Sequence, residues 1–79
     1  MDADNLVRMA NRIDEFFIAI PDRTEAKDGI VNHLRKFWEP RMREQLFAYI
    51  DREGDSGLAP LVLEAVNEQR SHLMPQRAH

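Results

Sequence analysis

Residues 51–57, DREGDSG, are where the chain first suggests chemistry. Asp51, Glu53 and Asp55 fall at the first, third and fifth ligand positions of a calcium loop. Such a loop also needs Gly at position six and a bidentate Glu at position twelve. Those positions hold Ser56 and Val62, and Pro60 interrupts the span. Without the bidentate Glu the ion loses its strongest ligand, so the segment reads as a polar turn. His33, His72 and His79 have no second His or carboxylate at a metal-site spacing. Asp14–Glu15 and Glu64–Glu68 are paired carboxylates, but each pair belongs to a solvated helix face. There is no Gly-rich phosphate loop, and no Ser or Cys nucleophile has a base nearby in sequence. The expected site inventory is therefore empty: no catalytic, cofactor-binding or metal-ligating residue.

Ser56 after Asp55 also raises a carrier-protein reading, since acyl carrier proteins are acidic, small and four-helical. Their modified Ser precedes Leu and opens the second helix. Here Ser56 precedes Gly57 and would open the fourth.

Residues 33–43, HLRKFWEPRMR, are chemically different. They gather the sole Trp, a Pro and four of the eleven basic residues. Arg41 and Arg43 follow Pro40, where a helix should begin, although a helix N-terminus disfavours cations. In one reading Phe37 and Trp38 plug the end of a bundle, while the arginine stems lie over Trp38 and Glu39 and Glu44 soften the charge. In the other, Arg35, Trp38, Pro40, Arg41, Met42 and Arg43 form a partner-binding patch, since Trp, Met and Arg are enriched at interfaces. The two readings are compatible if Phe37 points inward and Arg41 and Met42 point outward.

The elements that position these residues follow from periodicity and proline. Leu6, Met9, Ala10, Ile13, Phe16, Phe17 and Ile20 repeat at helical spacing, with Asp2 or Asp4 as N-cap and Pro21 as terminator. Asp22 with Glu25 has the spacing of a capping box, opening a second stripe of Ala26, Ile30, Leu34 and Phe37, widened by Val31 and Trp38. Gly29 inside it costs about 1 kcal/mol relative to Ala, which close packing against another helix would explain. Pro40 starts a third helix with Leu46, Phe47 and Ile50 inward, stopped by Gly54. Pro60 opens a fourth, with Leu61, Val62, Ala65, Val66, Gln69 and Leu73 along one face. The predicted helices are about 4–20, 22–38, 40–53 and 60–73, with a frayed tail at 74–79. The expectation is one all-α domain over 1–79, a compact four-helix bundle-like fold with short connections.

Composition agrees. Hydrophobic residues are 43% and charged residues 32%, which suits a folded chain rather than a disordered one. A net charge of −3 argues against general nucleic-acid binding. The absence of cysteine, signal peptide and long apolar run points to a cytoplasmic protein without membrane attachment.

Three stretches, LVRMANRIDEFF, PDRTEAKDGIVNHLRKFWEPRMR and GLAPLVLEAV, resemble the delta subunit of soluble NAD-dependent formate dehydrogenases, the bacterial molybdenum or tungsten enzymes. The resemblance covers about residues 5 to 66. Phe37, Trp38, Pro40, Arg41 and Met42 match its most specific piece, and Met9-Ala10-Asn11 and the step from Gly57-Leu58 to Pro60 support it. Ala59 departs from it, since a capping polar residue is common there; the loss should cost about 1 kcal/mol. The resemblance implies a complex that oxidises formate to carbon dioxide and reduces NAD. It implies an alpha subunit with a bis-pyranopterin metal centre and iron–sulfur clusters, and beta and gamma subunits with FMN and further clusters. It implies a delta subunit with no cofactor, which aids assembly, cofactor maturation or stability by docking on alpha. The competing expectation is an independent helical adaptor or homo-oligomer that uses the same patch.

Overall fold

The computed structural model describes residues 3–54 and 57–73. Asp2, Asp55, Ser56 and the tail at 74–79 lie outside them, and with them the possible first N-cap, part of the calcium-like loop and the carrier-like serine. The described residues are all-α: α1 Ala3–Phe17, α2 Arg23–Phe37, α3 Pro40–Glu53, α4 Pro60–Glu68 and a short α5 Arg70–Leu73. No strand occurs among them.

Each boundary has a local cause. The Asp22 carboxylate accepts the Thr24 N–H at 3.1 Å, capping α2. Pro40 and Pro60 stand at the first positions of α3 and α4, where a missing N–H leaves no gap. Gly54 ends α3 at φ 79°, a left-handed conformation that residues with a Cβ avoid. Two helices stop earlier than their apolar stripes suggest. α1 ends at Phe17, not near Ile20, because the chain already turns at 18–19 ahead of Pro21. The fourth predicted helix divides at Gln69, whose φ −109° and ψ 25° interrupt the ladder between α4 and α5.

Leu6, Ala10 and Ile13 of α1 meet Ile30, Leu34, Phe47, Val62 and Val66 in one apolar core. α2 packs on α1, α4 and α5, while α3 packs on α1 rather than along α2. Gly29 of α2 lies against the Phe17 ring of α1. A Cβ there would collide with the Phe17 ring, so the predicted reason for that glycine is the observed one. Leu73 brings α5 into the core, fully buried.

α4 begins without a side-chain cap of its own, as Ala59 dictates. Asn11 of α1 reaches this start instead. Its Oδ1 accepts the Ala59 N–H at 2.8 Å, and its Nδ2 donates to the Gly57 carbonyl at 3.0 Å. In a capping box the third helical residue satisfies the N-cap N–H; here a neighbouring helix does so.

Candidate functional site

The corner at residues 33–43 is built by the end of α2, two extended residues and the start of α3. Its aromatic pair divides: Trp38 takes the inward place expected of it as a bundle plug, and Phe37, expected inward, does not. Trp38 is 5% exposed and belongs to the core; Phe37 is 70% exposed. The buried row of α2 runs Ala26, Ile30, Leu34, each four residues apart. Adding four again gives Trp38, not Phe37. Trp38 also donates its backbone N–H to Leu34 at 3.0 Å while its ψ of 131° leaves the helix, turning the indole inward. Phe37 stacks outside on His33, with ring centroids 4.8 Å apart and planes tilted by 44°.

The other patch residues separate by surface. Arg35, Pro40 and Arg41 are exposed, and Met42 and Arg43 are half-buried. Arg35 faces a polar cleft of about 290 Å³ between α2 and α5, shared with Asp28, Asn32, Gln69 and His72. Trp38 instead floors a groove of about 300 Å³ between α1 and α2, lined also by Met9, Arg12, Ile13, Phe16 and His33. Sequence reading missed the α1 side of this groove. Phe16 fits the core stripe by spacing, yet it is 79% exposed. Nothing in its sequence neighbourhood separates it from Phe17, which packs on Gly29.

Charge divides the molecule in the same way. Arg23 pairs with Glu64, and Lys27 reaches both Glu64 at 3.0 Å and Glu68 at 2.8 Å. Hydrogen bonds from Arg23 first, then Lys27, hold the Glu64 carboxyl down to about 2. Arg70 pairs with Asp51 through two hydrogen bonds, lowering the carboxyl, and lies 4.7 Å over the Phe47 ring. By contrast, Arg8, Arg12, Arg35, Lys36, Arg41 and Arg43 have no ion pair among the described residues. Arg43 Nε is shielded from solvent with no acceptor among them. The cation–ring contacts present there are Arg52 on Tyr49 and Arg70 on Phe47, so the corner arginines do not stack over Trp38.

α3 thus begins with Pro40, Arg41 and Arg43, no acidic residue in its first turn and no side-chain cap from Glu39. Its positive end carries two cations, Arg41 and Arg43, that no ion pair among the described residues engages. No group of three or more His, Asp or Glu among the described residues is placed to hold a metal ion. No helix there is long and apolar enough to cross a membrane. What the corner offers is contact chemistry: guanidinium donors beside exposed rings.

Residues 5–66 match the family described as NADH-dependant formate dehydrogenase delta subunit FdsD. No curated protein and no solved structure matches the chain. With most of its length matched, the chain belongs to that delta-subunit family.

Proposed function

We propose that this delta-family chain is a non-catalytic accessory subunit, and that it docks through the α2–α3 corner on the large metal-containing subunit of an NAD-dependent formate dehydrogenase. In this reading it carries no cofactor. The bis-pyranopterin molybdenum or tungsten centre, iron–sulfur clusters, FMN and the NAD site belong to the alpha, beta and gamma subunits. The chain works in the cytoplasm and aids assembly, cofactor maturation or stability of the complex.

The observation that carries the reading is Arg41, exposed in the first turn of α3 with no ion pair among the described residues. A cation there opposes the helix dipole by a few tenths of a kcal/mol to about 1 kcal/mol. Carboxylates or exposed carbonyls on a partner remove that conflict and gain charge-assisted hydrogen bonds. Met42 and Pro40 add apolar contact beside it.

The test is a tagged purification from cells that make the whole complex, with formate-dependent NAD reduction assayed in the eluate. Arg41→Glu should sharply lower recovery of the large subunit. The same change should raise the stability of the isolated chain by about 0.3–1 kcal/mol, because an anion suits a helix N-terminus. Opposite signs separate docking from folding. Unchanged recovery of the large subunit with Arg41→Glu would refute the reading. Strong self-association by light scattering, with no dehydrogenase subunit recovered, would favour the homo-oligomeric adaptor.

A further inference from the structure

We propose that the groove between α1 and α2 receives an acidic segment bearing one large apolar side chain, contributed by the same partner that the corner docks against; the inference rests on the docking reading. The groove supplies both halves of that recognition. Its floor is apolar, made by Ile13 and Trp38 at 6% and 5% exposure. Its rim is apolar too. The described residues leave three large hydrophobic side chains exposed, Phe16, Ile18 and Phe37. Phe16 lines this groove, and Phe37 stacks on His33, which lines it as well. At about 300 Å³ the space suits inserted side chains and lies at the lower limit for enclosing a small ligand.

The charge identifies the rest of the occupant. Arg12 lines the groove, and Arg8 stands one helical turn before it on α1. Both are exposed, and neither has an ion pair among the described residues. Two cations one turn apart beside an apolar slot complement two carboxylates one turn apart flanking an apolar residue. A second copy of this chain fits poorly. Face-to-face pairing through the groove would bring Arg8 and Arg12 of both copies onto one interface, like charge against like.

The experiment uses the assembled complex. The photo-crosslinker p-benzoylphenylalanine at position 16 should join this chain to another subunit, within a segment that carries at least two carboxylates. The double variant Arg8→Glu with Arg12→Glu should cut co-purification at least tenfold, and the paired lysine replacements should restore most of it. Far-ultraviolet circular dichroism and Trp38 fluorescence of each variant establish that the fold is kept. A crosslink to a second copy of this chain overturns the proposal. So does a crosslink to a segment without carboxylates, an intact complex with no crosslink, or unchanged co-purification of the double glutamate variant. If Arg41→Glu releases the chain while the α1 variant does not, the corner docks and the groove is empty of the proposed segment. If the α1 variant alone releases it, the groove holds the partner and the corner reading fails.

Discussion

Near the start of α2, Arg23 and Lys27 each reach a carboxylate of α4; two turns later, Arg35 and Lys36 reach none among the described residues. One helix therefore carries cations of two kinds. Lys27 keeps only 13% of its side chain exposed, its stem laid against the neighbouring helix and its ammonium shared by Glu64 and Glu68. Folding alone completes that face. The face made by α1 and the corner keeps bare guanidinium groups, two exposed Phe rings and a groove. The difference separates cations that the fold pairs across helices from cations without an ion pair among the described residues. The more exposed of these pairs, Arg23 with Glu64, contributes little to stability.

The largest test of this division sits within one dipeptide. Trp38→Ala should destabilise the isolated chain by about 3–5 kcal/mol, as loss of a buried aromatic does, while Phe37→Ala should change it by less than about 0.5 kcal/mol. Urea unfolding, followed by circular dichroism, measures both. Similar losses for the two would erase the division between core and exposed face. Next, Asn11→Ala should cost about 1–2 kcal/mol, since two hydrogen bonds vanish and the half-buried Ala59 N–H loses its acceptor. Thermal melts would detect a loss of that size as a shift of several degrees.

A smaller effect comes from Gly29. In a Phe17→Ala background, Gly29→Ala should stabilise by up to about 1 kcal/mol, because helix propensity gains and the ring is gone. With Phe17 present the gain should disappear, since the ring must move to admit the methyl group. Denaturation of the four proteins of that cycle gives the coupling. The smallest effect is in pH. Glu64 is held near 2 in the fold against an ordinary 4.5, so its contribution is complete above about 4.5 and is lost as pH falls towards 2. Asp51 shifts in the same direction, through Arg70. Glu64→Gln should flatten that part of the stability profile, and Arg41→Gln should leave it unchanged.

Proline, glycine and spacing made most of the fold readable in advance. Pro40, Pro60, Gly54 and Asp22 stand where helices begin and end, and the inward residues of α3 and α4 lie on single stripes. The errors fall at helix ends, where steps of three and four residues both fit a stripe. Phe16 against Phe17, and Phe37 against Trp38, were each resolved by neighbours far along the chain. Arg23 and Glu64 are 41 residues apart and left no local trace. The corner was visible because Arg41 breaks a local rule; the groove was not, because half of it comes from α1. Asn11 stood inside a recognisable stretch, yet its use depends on the backbone of a loop 46 and 48 residues later.

That separation has a consequence in time. α4 spans nine residues, shorter than an isolated helix that persists in water. During synthesis at about 5–20 residues per second, the 48 residues between Asn11 and Ala59 take roughly 2–10 s to appear. For that interval the residues of α1 have been made while the backbone its asparagine will hold has not. The last helices of the domain must therefore close onto an N-terminal segment that has been waiting for them, exposed to whatever else the ribosome's surroundings offer.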